Sequence, residues 1–455
     1  MFYEKISFKN VVGEALEELQ QSLFKLFLGL SEMHQDSNSK ERTVVPPPIS
    51  TICHDSFEKA LMLWRSHGLP LLSQLPKRAC PACGEQASHT VFESYDGYMF
   101  HECHNCGMWY VPLMVTWALF ERLFALCPEA EAVSRDVAVH RLTQLKDQDV
   151  ARVSGYFTAI QALLPQGGNG LRYLDIGCSV GHSLQAAKDR GMLAFGVEVD
   201  PSAAEIAVKA GHTVVRTLEE LPEGRYDIVS FWETLEHIGD PLSELQRAAS
   251  RMNDNGLLVF TVPNLASLGV RVLREKCAYA YGGYNSPGHI NFFSRASLSH
   301  LLQRAGLTLL DVGSEYSNNL AEIAGYLHCM TDPSRPFAVL SPPSDTAMAV
   351  NVVGPTVAMM EARTGTQPII QCMACLSGKE ARFKQALDMR MRVKAQQNRE
   401  ELLRKLKATP DLFSHAVVLP EGSLNRRERL IVKIYNKLEQ WQTSLVGLLS
   451  PDKAN

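Results

Sequence analysis

An α/β fold built on a parallel sheet is predicted by three features of this 455-residue chain. From Leu171 onward, short β-rich runs alternate with helix-patterned segments, the order expected of strands joined by helical crossovers. The stretch Leu171-Arg-Tyr-Leu-Asp175-Ile-Gly177-Cys178-Ser179-Val-Gly181-His182-Ser-Leu reads as a strand ending at Asp175, a loop with two glycines and a helix start. Glycines there let the backbone come close to a ligand. A second strand, Ala194-Phe-Gly-Val-Glu198-Val199-Asp200, follows and places Glu198 at its C-terminal end, where an acidic group accepts hydrogen bonds from ribose hydroxyls.

Composition bounds the function. The chain is 45% hydrophobic, 21% charged and 8% aromatic, which is globular and excludes collagenous, disordered and disulfide-scaffold classes. The length suits two or three domains. A net charge of −4 argues against binding driven by phosphate neutralisation. No apolar run is long enough to span a membrane. Glu14, Glu17 and Glu18 in the first helix-like stretch argue against a secretory signal or transit peptide. Eleven thinly spread cysteines predict a reducing, cytoplasmic compartment, where close pairs serve metals rather than disulfides.

Five regions are expected. Residues 1–75 read as helical, with an apolar stripe from Val12 to Leu30, a linker from Ser37 to Pro48 and a short helix around Ser56–His67. Residues 76–115 form a cysteine module and 116–165 a helical connector. Residues 166–378 form the α/β domain, with a proline-rich loop at Thr331–Pro343 and a strand at Pro368–Leu376. Residues 379–455 are helical and basic, with a second stripe from Ile431 to Leu448. The two terminal stripes can pack on their own core or join two copies of the chain.

Cys80-Pro-Ala-Cys83-Gly and Cys103-His-Asn-Cys106-Gly make a C-x2-C…C-x2-C array with nineteen residues between the pairs. Each pair is a tight turn that aims two thiolates at one ion, and four thiolates suit a closed, structural zinc site. An iron–sulfur cluster is the minor alternative, and His101 and His104 flank the third cysteine as competing ligands. The segment between the pairs reads as a hairpin turning at Asp96-Gly97, which makes the module a zinc ribbon. Some forty residues bury little core, so metal is expected to supply much of its folding energy. Cys372 and Cys375 sit three apart on an expected strand, point to opposite faces and cannot share a metal. The isolated Cys53, Cys127, Cys277 and Cys329 read as buried thiols.

The glycine loop discriminates between nucleotides. Dinucleotide sites use G-x-G-x-x-G with pyrophosphate on the helix N-terminus. Here a single G-x-x-x-G follows Asp175, whose carboxylate repels a pyrophosphate and suits an ammonium and a sulfonium, favouring S-adenosylmethionine.

Asp175–Gly181 resembles motif I of class I S-adenosylmethionine-dependent methyltransferases. Tyr226–Pro241, Gly256–Asn264 and His289–Ser294 with the helix Ser297–Ala305 resemble that family's fourth strand and loop, fifth strand and approach to the sixth. The upstream ribbon resembles a bacterial subgroup active on saccharides and secondary metabolites. The long interval before the last strand and the long tail depart from the family. The resemblance implies a Rossmann-like seven-stranded methyltransferase sheet, flanked by the zinc ribbon and helical N- and C-terminal extensions.

The resemblance also implies roles. Asp175, Gly177, Cys178, Ser179 and Gly181 would line the methionine part of the cofactor. Glu198 would hold the ribose, and Val199, Leu218 and Glu219 would border the adenine. Phe231, Trp232 and Glu233 would lie beneath the sulfonium, with Trp232 alternatively core. His237 and His289 fall on the acceptor side as candidate general bases, since histidine titrates near working pH. Tyr281–Gly288 reads as a mobile lid carrying Tyr281 and Tyr284, and His182 as exposed at a helix start. The expected acceptor is a small molecule or saccharide, methylated at oxygen or carbon. The alternatives are a scaffold protein with a degenerate core and a nucleic-acid methyltransferase. The latter lacks the expected tetrapeptide at strand four.

Overall fold

The computed structural model describes residues 59–94, 97–161, 163–164, 169–273, 288–315, 357–358, 360–361 and 364–389. The terminal stripes, the linker Ser37–Pro48, Cys53, Cys277, Cys329, Tyr281, Tyr284, most of the expected lid and the proline-rich loop lie outside them.

The cysteine module holds β1 (Ser88–Glu93), β2 (Met99–Cys103) and β3 (Trp109–Tyr110). β1 and β2 form the expected antiparallel hairpin, with Ser88 opposite Cys103 and Glu93 opposite Met99, and Gly97 at φ +87° turns it. Helices α1 (Trp117–Leu126), α2 (Pro128–His140) and α3 (Lys146–Gln161) follow.

The α/β domain runs β4 (Arg172–Ile176), α4 (His182–Lys188), β5 (Leu193–Val197), α5 (Pro201–Lys209), β6 (Thr213–Val215), β7 (Tyr226–Trp232), α6 (Pro241–Ser250), β8 (Met252–Pro263) and α7 (Leu268–Leu273). It continues with β9 (Asn291–Phe292), α8 (Arg295–Arg304), β10 (Leu307–Glu315) and β11 (Ile369–Leu376). Seven strands form one sheet in the order β10-β11-β8-β7-β4-β5-β6. Only β11 runs antiparallel to its neighbours. This is the predicted doubly wound sheet, with strand order reversing beside β4, where such sheets bind ligands.

Strand alternation splits the core into two layers. Leu174, Ile176, Val229 and Phe260 face α6 and α8, whereas Tyr173, Ile228 and Val259 face Phe157 of α3 and Leu184 of α4. Cys372 and Cys375 fall in opposite layers, as expected. Helix starts follow from local chemistry. The Asp200 side chain accepts from the Ser202 N–H at 2.8 Å ahead of Pro201 in α5, and Ser294 with Ser297 forms a capping box on α8.

The ribbon is built into the domain. β9 extends its sheet to β1-β2-β3-β9, pairing Trp109 with Phe292 and Tyr110 with Asn291. Cys80, Ala82, Met108 and Tyr110 share a buried cluster with Phe293, Leu298 and Leu301. Among the described residues no helix is long and apolar enough to cross a membrane.

Candidate active site

The glycine loop, Glu198 and Glu233 gather at the C-terminal ends of β4, β5 and β7. Gly177, Ser179 and Gly181 have φ of +80°, +48° and +91°, which bends the loop tightly around the start of α4. A methyl group on Gly177 would stand 2.4 Å from Thr234 Cγ2, and one on Gly181 would stand 2.5 Å from His212 Cδ2. Both glycines are therefore required by space as well as by backbone conformation. Gly177→Ala is expected to lower stability by about 1–3 kcal/mol and to block the crevice, read as a lower thermal midpoint and lost cofactor binding.

Glu198 secures this loop. Its Oε2 accepts from the Ser179 N–H at 2.8 Å and its Oε1 from the Asp200 N–H at 2.8 Å. Burial raises its pKa, against those two hydrogen bonds. Asp175 lies one layer deeper. It accepts from the hydroxyls of Ser183 and Ser230, and burial pushes its pKa up to about 7. Ser230 in turn meets Tyr173 Oη at 2.7 Å, and Trp232 Nε1 donates to Tyr173 Oη at 2.9 Å. Trp232 stacks on Tyr156 with ring centroids 4.8 Å apart, the packed position that its alternative reading described.

The remaining expected cofactor residues divide. Val199 is exposed just beyond β5, and Glu233, at φ +51°, ends β7 with its Oε1 3.2 Å from Arg152 Nη1. Leu218, Phe231 and Cys178 are buried in the hydrophobic layers, and Glu219 pairs with Arg247 on the surface. His182 is buried rather than exposed, because its Nδ1 lies 3.1 Å from Asp149 Oδ2. That contact comes from α3, as does Arg152. This acid–base row along the crevice was missed, because thirty-three residues separate its partners and no spacing signals it.

Beyond β7, the rings of His237 and His289 meet edge to face with centroids 4.5 Å apart. Glu236 joins them, with one ligand atom of each of the three lying within 4.8 Å of the others. Glu236 is wholly buried, and among the described residues neither carboxylate oxygen has a hydrogen-bond partner, so burial drives its pKa far up. His237 is the exposed member of the three, beside the buried Glu236 and His289.

In the ribbon, the Sγ atoms of Cys80 and Cys106 are 3.6 Å apart and those of Cys83 and Cys103 are 3.4 Å apart. A tetrahedron with Zn–S bonds of about 2.3 Å has edges of about 3.8 Å, so the donors fit that ion. Gly84 and Gly107, at φ +82° and +65°, close matching knuckles on Cys80 and Cys103.

With this geometry, residues 149–312 match the family model described as a methyltransferase domain. The chain thus carries a methyltransferase domain over these residues, on the sheet order described above. It is 24% identical over 168 residues to the ubiquinone biosynthesis O-methyltransferase of Burkholderia vietnamiensis, covering 32% of this chain and 72% of that protein. The protein of the same name from Rhodopseudomonas palustris strain BisB5 is 34% identical over 166 residues, covering 34% of this chain and 65% of that one. Such matches span from 41% to 76% of the relatives' own length. Among solved structures, magnesium protoporphyrin IX methyltransferase from Synechocystis PCC 6803, with bound SAH, is 16% identical at a TM-score of 0.32, covering 54% of this chain and 87% of that one.

Proposed function

We propose that the protein transfers a methyl group from S-adenosylmethionine to a small-molecule or saccharide acceptor, at oxygen or carbon. The observation that carries this reading is the pairing of two sites. The glycine loop is held by Glu198, and the loop after β7, whose Thr234 stands against Gly177, carries His237 paired with His289. The names of the relatives favour oxygen.

Gly177, Ser179 and Gly181 would let the methionine part approach the backbone, and Glu198 would hold the ribose with its remaining lone pairs. Val199 would border the adenine. Asp175, Cys178, Leu218, Phe231 and Trp232 would support the crevice from beneath, and Glu233 would close its rim against Arg152. The cofactor supplies an electrophilic methyl carbon, and the chain's task is alignment and proton removal. His289 is the base on this reading. His237, the exposed partner of the buried His289, would position His289 and the acceptor. Cys80, Cys83, Cys103 and Cys106 would hold a structural zinc ion. Residues 76–115 and 166–378 would then contribute one active site from two modules. Cytoplasmic residence and pairing of chains through the terminal helices belong to the same reading.

Incubation of purified protein with methyl-labelled S-adenosylmethionine and metabolite fractions tests it. Label is expected in a low-mass compound. Label in nucleic acid, or in no fraction, contradicts the reading. His289→Gln is expected to cut turnover by about 100-fold while calorimetric cofactor affinity stays within about twofold. Full turnover in that variant moves the base elsewhere.

A further inference from the structure

We propose that Arg78, two residues ahead of the first ribbon cysteine, is a positioning residue that locks together the two loops carrying His237 and His289. For its effect on turnover this rests on the reading of those histidines above.

Arg78 reaches out of the ribbon with all three guanidinium nitrogens engaged. Nη1 donates to the Gly239 carbonyl, two residues after His237. Nη2 donates to the Ile290 carbonyl at 3.1 Å and to Asn291 Oδ1 at 2.9 Å, immediately after His289. Nε donates to Val111 O at 2.8 Å, which anchors the fork to the end of the ribbon. Asn291 completes the clamp, its Nδ2 donating to Leu235 O at 3.0 Å and Ile238 O at 2.7 Å on the His237 loop. The Ile290 N–H crosses the same gap to Glu236 O at 2.9 Å.

The acceptors are three backbone carbonyls and an amide oxygen, so the guanidinium here fixes geometry rather than neutralising a carboxylate. Its planar fork serves two loops at once, whereas a lysine ammonium is a point donor that cannot span both. Contact between the loop and the last residues of the ribbon module is close. A methyl group on Gly239 would stand 2.1 Å from the Val115 carbonyl oxygen. The ribbon thereby sets the edge-to-face geometry of the histidine pair, and a shift of about 1 Å in such a pair costs roughly 100-fold in rate.

Arg78→Ala and Arg78→Lys in the full chain test this without knowledge of the acceptor. Hydrogen exchange is followed by peptide in residues 235–240 and 288–293, with β4 and β7 as controls. Acylation of His237 and His289 by diethyl pyrocarbonate is read by mass spectrometry. Both loops are expected to exchange at least about tenfold faster in either variant, with β4 and β7 unchanged and both histidines acylated faster. Guanidinium ion, but not sodium chloride at equal ionic strength, is expected to restore part of the protection in Arg78→Ala. Unchanged protection of the two loops, or acceleration shared equally by β4 and β7, overturns the proposal. If Arg78→Ala does not fold, Arg78→Lys, which keeps the stem and the charge, decides. With the acceptor from the labelled-methyl screen, kcat is expected to fall about 100-fold at nearly constant KM. Wild-type protein that fails to bind S-adenosylmethionine would refute the functional reading, and the exchange data would still decide the clamp.

Discussion

Glu198→Ala is expected to weaken S-adenosylmethionine binding by about 100-fold or more, read by calorimetry on the full chain, because the carboxylate has two tasks on the proposed reading. It holds the Ser179 and Asp200 N–H groups at 2.8 Å each, which fixes the loop around Gly177 and the start of α5. On the proposed reading it would also offer its remaining lone pairs to ribose hydroxyls. Charge-assisted hydrogen bonds contribute about 1.5–3 kcal/mol each, so losing two of them alone amounts to about 100-fold or more. Glu198→Gln separates the tasks. It keeps one oxygen for the loop, and its affinity is expected to fall between those of wild type and Glu198→Ala. Unaltered affinity in Glu198→Ala removes the ribose assignment.

If the four cysteines hold zinc as proposed, loss of that metal has the largest expected effect on stability. Structural zinc contributes about 10–16 kcal/mol in small zinc modules, and here the module is also part of the domain core. Cys80, Cys103, Met108 and Tyr110 pack with Phe293, Leu298 and Leu301, while Arg304 Nη1 donates to the Ala82 carbonyl at 2.9 Å. Cys103→Ser is therefore expected to lower metal content from about one zinc per chain to near zero. Protection of β1–β3 from hydrogen exchange should disappear, and α8 should loosen with it. Metal analysis that finds no zinc in freshly purified wild type, or a Cys103→Ser protein with the wild-type thermal midpoint, contradicts this.

Much of the architecture was legible in the residues because alternation and spacing act locally. The alternating runs from Leu171 gave the strands, the matched Cys-x2-Cys pairs gave the ribbon, and the three-residue offset of Cys372 and Cys375 gave their opposite faces. Legibility ended where partners are distant. β9 is only two residues long, Asn291–Phe292, too short for any periodicity, yet it joins the ribbon to the domain. His182 was expected in solvent because a helix start usually lies there, and Asp149 from α3 covers it. Asp175, expected beside the ammonium, accepts one hydroxyl on each oxygen, from Ser183 and Ser230, partners that no sequence spacing signals. Leu218 and Phe231 were placed by position along the family pattern, whereas burial is decided by which layer of the sheet a side chain enters.

A buried Asp175 also has a consequence for pH. With its pKa raised to about 7 in the folded chain from 3.8 unfolded, the folded state holds the extra proton between those values. Its contribution to stability is therefore greatest at low pH and is lost as pH rises through 7. Asp175→Asn is expected to flatten the thermal midpoint between pH 5 and 8, where wild type declines. An unchanged slope assigns the decline to other groups.

On the proposed reading, the glycine loop beside β4 and β5 receives a cationic sulfur nucleoside or its demethylated product. The most direct measurement of this is a crystal structure of the full chain grown with S-adenosylhomocysteine. The expected result is density along Gly177–Gly181, with the ribose hydroxyls on Glu198 and the adenine beside Val199. A crevice that stays empty at saturating nucleoside, or one that instead takes up a pyrophosphate-bearing nucleotide, contradicts the account.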